Sequence, residues 1–128
     1  MLKSTTKSII APINTGEYTA KFVSMKDGKT PADTVLTFHI EELNRTINAF
    51  VNNERVCFED ADGSKYTSED FFFIGLKRQL KMYGEESPLE VLATCTETPI
   101  TLWVIADEYT NVYSSKPKSY DTADLGIC

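Results

Sequence analysis

Five stretches of the chain alternate apolar and polar residues with a period of two. One stretch, between the third and the fourth, switches to helical spacing. That switch constrains the fold most: strands on either side of a single helix must close over it to bury both faces. In residues 17–25, Tyr18, Ala20 and Phe22 share one face, and Thr19, Lys21, Val23 and Met25 take the other. In residues 34–41, Leu36, Phe38 and Ile40 oppose Val35, Thr37 and His39. In residues 45–51, Ile47, Ala49 and Val51 oppose Thr46, Asn48 and Phe50, and the tight link 42–44 makes the second and third stretches a hairpin. Ile100, Leu102, Val104 and Ala106 then alternate with Thr101, Trp103 and Ile105, and a turn at Asp107-Glu108 leads into a fifth strand over 109–115.

The helical stretch covers residues 68–83. Thr67 or Ser68 is placed to cap it, and Glu69 and Asp70 suit the positive end of its dipole. Phe72, Leu76, Leu80 and Tyr83 recur at helical spacing, Lys77, Arg78 and Lys81 lie toward the C-terminal end, and Gly84 is positioned as the stop. Residues 26–29 form a turn, 52–65 a polar loop, and 85–98 a connection with room for a short strand at 90–95.

The order strand, strand, strand, helix, strand, strand predicts a mainly β domain. It fits a five-stranded Greek-key barrel, the OB-fold, with one α-helix between strands 3 and 4, against a generic α+β roll as the alternative. The domain spans residues 16–116, after an N-terminal arm at 1–15 and before a flexible tail at 117–128. A chain of 128 residues suits one domain with a single core. Its longest apolar run, Leu102 to Ala106, is too short to span a bilayer, and Ile9-Ile10-Ala11 is too short for a signal peptide. Cys57, Cys95 and Cys128 are odd in number and widely spaced, so they outline neither a disulfide framework nor a zinc site. The expected compartment is the reducing cytoplasm.

The residues give catalysis little to work with. His39 is the single histidine, in mid-strand, and no spacing pairs it with a serine or cysteine. The paired acids Glu41-Glu42, Glu85-Glu86 and Asp107-Glu108 fall at turns, where solvated charge is ordinary. Asp60-Ala61-Asp62-Gly63-Ser64 misplaces the glycine of a calcium loop and has Phe71 where the closing glutamate belongs. No phosphate-binding loop is present. The expectation is a protein that is not an enzyme and needs neither cofactor nor metal.

The aromatic and basic residues say more. Single strands are held by rings that stack bases beside cations that follow the phosphates. Phe50 and Trp103 sit among polar neighbours on faces opposite the aliphatic registers, with Tyr113 a further ring in the fifth strand. The competing reading packs these rings beneath the N-terminal arm or the helix. Lys21, Lys26, Lys29 and Arg45 supply cations around such a face, whereas Asp107 and Glu108 disfavour phosphate near the fourth turn. The net charge of −6 argues against indiscriminate duplex binding and leaves room for a local basic groove. The run Phe71 to Ile74 holds more apolar surface than one helix face needs, which suits covering the bottom of the barrel with one part and a subunit contact with another.

Three segments resemble the small OB-fold single-stranded DNA-binding proteins of bacteriophages: Gly16 to Lys21, Thr46 to Val51, and Trp103-Val104-Ile105 with Tyr109 to Tyr113. The resemblance extends over residues 16–116. It implies sequence-independent binding of single-stranded DNA in phage replication or recombination, in the host cytoplasm, often as a homodimer. It places the contacts on Phe50, Trp103, Arg45, Lys26 and Lys29. It also implies an acidic tail that recruits replication or recombination proteins, but residues 120–128 lack the terminal proline-phenylalanine of that pattern. The rival expectation is a protein-binding adaptor or phage structural protein on the same kind of barrel.

Overall fold

The computed structural model describes residues 13–106 and 110–116. Strand β1, Gly16–Asp27, is long enough to serve two neighbours. Residues 16–21 pair with β6, Pro99–Ala106, and residues 21–27 pair with β2, Asp33–Ile40. β2 continues through a 3-10 turn at Glu41–Leu43 into β3, Arg45–Asn52, and Asn44 takes the left-handed conformation (φ 47°) that closes this hairpin. β7, Thr110–Tyr113, pairs with β6. The result is an antiparallel five-stranded sheet in the order β3-β2-β1-β6-β7. The outer strands β3 and β7 approach within 8 Å, Cα to Cα, with no ladder between them among the described residues.

Alternation decides what is buried. Leu36, Phe38 and Ile40 of β2, Ile47, Ala49 and Val51 of β3, and Ile100, Leu102 and Val104 of β6 all face the core. Phe38 is its centre, edge-on to Phe22 (ring centroids 5.7 Å apart) and 6.0 Å from Phe72. A bulge at Val23 shifts the β1 register between Phe22 and Ser24. Met25 is thereby moved to the row of Leu36, and Ser24 and Lys26 to the outer face, one step away from simple alternation.

Phe72 and Leu76 reach the core from helix α1, Ser68–Leu80. Thr67 caps it reciprocally: the Asp70 N–H donates to Thr67 Oγ1 (3.2 Å) and the Thr67 N–H to Asp70 Oδ2 (2.9 Å). The helix stops at Lys81, which adopts φ 57°, so it ends before the Gly84 expected from the sequence.

Two expectations need correction. There are two helices between β3 and β6, not one: residues 88–94 form α2, Pro88–Thr94, where a short strand was an option. Ser87 caps it, Pro88 suits its first turn, and Leu89 and Leu92 pack into the core at helical spacing. The polar loop 52–65 also contains structure, a small hairpin of β4, Val56–Glu59, and β5, Lys65–Thr67. Asp60 Oδ1 accepts from the N–H groups of Asp62 and Ser64, and Gly63 (φ 91°) completes the turn at its tip. Cys57 on β4 places its Sγ 3.4 Å from the Tyr66 carbonyl of β5, and Cys95 is a free, exposed thiol.

α1 is stitched to the sheet where β7 has ended. Gln79 Nε2 donates to the carbonyls of Thr101 (2.8 Å) and Ser114 (2.9 Å), and its Oε1 accepts from the Thr101 N–H (2.7 Å). One side-chain amide thus stands in for the missing ladder. Ser114 Oγ donates to the Phe72 carbonyl (2.7 Å). The N-terminal arm up to residue 12, the turn acids Asp107 and Glu108, and the tail 117–128 lie outside the described residues. No helix among those described is long and apolar enough to cross a membrane.

Candidate nucleic-acid interface

The outer face of the β2–β3 hairpin is built from the residues the core rejects. Val35 lies opposite Phe50, Thr37 opposite Asn48, and His39 opposite Thr46. Phe50 is 71% exposed, an unusual state for a phenylalanine on a sheet, while Val35 beside it is 5% exposed. In the next row Thr37 Oγ1 donates to Asn48 Oδ1 (2.8 Å). The face therefore sets an open ring beside a buried valine, with polar groups in the rows that follow.

Cations collect at one end of it. Lys26 lies opposite Val35, so Phe50, Val35 and Lys26 form one row across three strands. Lys29 is exposed in the β1–β2 loop that follows. This loop is held by a compact network. The Gly28 N–H donates to the Asp33 carbonyl (2.8 Å), the Asp33 N–H to the Thr30 carbonyl (3.0 Å), and Thr30 Oγ1 to Asp33 Oδ2 (2.8 Å). A Cβ on Gly28 would come within 2.6 Å of the Asp33 Cβ, so only glycine fits there.

Asn52 joins this loop to the end of β3. Its Nδ2 donates to Asp33 Oδ1 (2.7 Å), and its Oδ1 accepts from the N–H groups of Glu54 (2.9 Å) and Arg55 (2.7 Å). The Asn52 and Thr30 hydrogen bonds, helped by the Arg55 charge, hold the Asp33 carboxyl below its ordinary range. Arg55 is exposed and belongs to the same end of the face as Phe50, Lys26 and Lys29. Sequence reading missed Arg55 because it lies in a stretch without periodicity. The available signal was Asn52, a turn-forming residue three positions before a cation at the close of a strand.

The other expected residues lie elsewhere. Lys21 is on the outer face, five residues along β1 from Lys26, opposite His39 and Pro99, and it is ion-paired with Glu97 and Glu41. Arg45 begins β3 on the core-side register, paired with Ile40, and it is engaged in an interaction of its own. Trp103 lies opposite Glu17 on one side and Tyr113 on the other. Its indole N–H is buried with no hydrogen-bond partner among the described residues, and Ile105 on the same register is buried. Burial raises the Tyr113 phenol above its usual range. Glu17 and Lys26 are nine residues apart on β1, about 30 Å of strand. The two rings singled out from the sequence therefore occupy different parts of the sheet: Phe50 is open to solvent and Trp103 is half-buried with its indole N–H withdrawn from solvent.

A second aromatic group was not anticipated. Tyr66 stacks on Phe71 at 5.5 Å, and Phe58 lies 6.1 Å from both. Tyr66 Oη donates to Asp60 Oδ2 (3.2 Å), which raises its phenol pKa. Val56, Phe58 and Ile74 leave apolar surface exposed around this group. Compared with known proteins, the chain matches no family model, no curated protein and no solved structure.

Proposed function

We propose that this chain binds single-stranded DNA without sequence preference, in phage replication or recombination, through the β2–β3 face. Phe50 stacks a base, and Lys26, Lys29 and Arg55 follow the phosphates on either side of it. The observation that carries this reading is the exposure of Phe50 in the same cross-strand row as Lys26. Stacking is sequence-tolerant because every base has a π-face, and each stacked base contributes about 1–3 kcal/mol. The strand order supports an OB-fold: β3-β2-β1-β6-β7, with the helices inserted between β3 and β6, is the order that closes when β7 meets β3. In that fold the faces of strands 2 and 3, flanked by the β1–β2 loop, bind oligonucleotides.

Fluorescence anisotropy of labelled oligo-dT, titrated with protein at low and at high salt, tests the proposal. Binding that weakens steeply with salt, and that falls when Lys26 and Arg55 are both changed to Gln, is the expected result. No binding at low salt by anisotropy or gel shift would end this reading.

The exposed apolar group around Phe58, Tyr66 and Phe71 favours a second reading, a protein-binding adaptor or phage structural protein. It predicts a stoichiometric protein complex that Phe58→Ser disrupts and oligo-dT does not compete away.

A further inference from the structure

The outer face has two unlike ends. Lys26 marks the cationic one. Five residues back along β1, about 16 Å of strand, Lys21 marks the other. There the ammonium lies 2.8 Å from Glu97 Oε1 and 3.5 Å from Glu41 Oε1. Both acids reach in from segments that leave the sheet: Glu41 opens the 3-10 turn after β2, and Glu97 sits in the short turn before β6. Their side chains remain 74% and 87% exposed, so one cation is matched by two solvent-facing carboxylates. Glu42 and Glu17, both exposed, add negative charge on that side. The Lys21 hydrogen bond lowers the Glu97 pKa, so the acid stays charged wherever DNA binding would be measured.

We propose that Glu41 and Glu97 mark the end of the DNA track: they withhold Lys21 from phosphate and repel the backbone beyond it. The inference rests on the single-strand reading above. Two features argue for this role over a purely structural one. Exposed ion pairs contribute little to folding. And Lys21 stands on the same outer face as Phe50 and Lys26, where an unpaired lysine would extend the cationic row. A bound strand therefore lies toward the Lys26, Lys29 and Arg55 end of the face and stops short of the Lys21 row. The occluded length then falls at the short end of the roughly 4–16 nucleotides typical of one OB-fold.

The test is the double variant Glu41→Gln/Glu97→Gln, titrated with oligo-dT of increasing length across a salt series. The expected gain in affinity at low salt is about threefold to tenfold, as two repelling charges disappear and one cation is freed. The salt slope should steepen by about 0.7, the value for one more phosphate neutralised on a single strand. The occluded length should grow, and adding Lys21→Gln should return the salt slope to the wild-type value and remove the part of the gain that the freed cation supplies. A gain of function cannot come from misfolding, and a thermal melt matching wild type confirms it. If wild type binds and the double variant shows the same affinity, slope and site length, the end-stop is refuted while the binding reading stands. If wild type binds no oligo-dT, the binding reading falls and this inference falls with it.

Discussion

Phe50→Ala separates binding from folding more cleanly than any other change to this chain. The ring is 71% exposed, so less than a third of its surface is withdrawn from water. At about 25 cal/mol per Å² of apolar surface, truncation removes at most about 1.5 kcal/mol of burial. The corresponding change at fully buried Phe38, on the opposite face of the same hairpin, should cost about 3–5 kcal/mol. If Phe50 stacks a base, its loss removes about 1–3 kcal/mol of binding, which is roughly 5- to 150-fold in Kd. Phe50→Trp should retain or improve affinity, because a larger π-face occupies the same site. The assays are oligo-dT anisotropy at fixed low salt and urea unfolding of the same preparations. A Phe50→Ala protein with affinity within twofold of wild type would refute stacking at this position, whatever its stability.

Further predictions concern the scaffold. Gln79→Ala leaves the Thr101 N–H and two carbonyls without their partner in a part-buried seam, so urea unfolding should show a loss of about 2–4 kcal/mol. Gln79→Glu keeps one acceptor but turns a carboxylate toward two carbonyls, and should be no better than alanine. Gly75→Ala places a Cβ against Ser114 Oγ and within 2.8 Å of the Ser114 carbonyl, so its melting temperature should fall even though alanine is the better helix former. The Asp33 carboxyl has a folded-state pKa below its ordinary 3.8. Its hydrogen bonds therefore favour the fold above that value, and the favour is lost as pH falls from 3.8 through the lower folded value. Asp33→Asn should flatten that part of an acid-unfolding curve and leave the neutral-pH limb unchanged in shape.

Strands with a buried face were legible because burial enforces their period. Leu36, Phe38 and Ile40 face inward as the alternation requires, and so do Ile47, Ala49 and Val51. The α1 cap was legible because Thr67 and Asp70 act within four residues of one another. What escaped notice was short or locally irregular. β4 and β5 have four and three residues, too few for a period to emerge from turn residues. α2 was ambiguous because seven residues with Leu89, Val91 and Leu92 satisfy a strand nearly as well as a helix, and packing against the core decided it.

The candidate site was half legible, and the reason lies in β1. Alternation alone puts Lys21 on the outer face and Lys26 on the inner one. The bulge at Val23 returns Lys26 to the outer face, in the row of Phe50. One extra residue thus creates the cationic row, and no pattern in the sequence announces a bulge. Trp103 shows the converse: its register was read correctly, yet register does not say what lies above a strand, and the residue is half-buried with its indole N–H withdrawn while Phe50 is bare. The charges follow the same logic. Arg45 and Lys21 count as cations in the sequence, but the fold engages one on the core-side register and pairs the other with Glu41 and Glu97. An acidic chain can therefore concentrate positive charge at one end of a face. The fold pairs the cations at the far end of the sheet and leaves Lys26, Lys29 and Arg55 exposed around a single open ring.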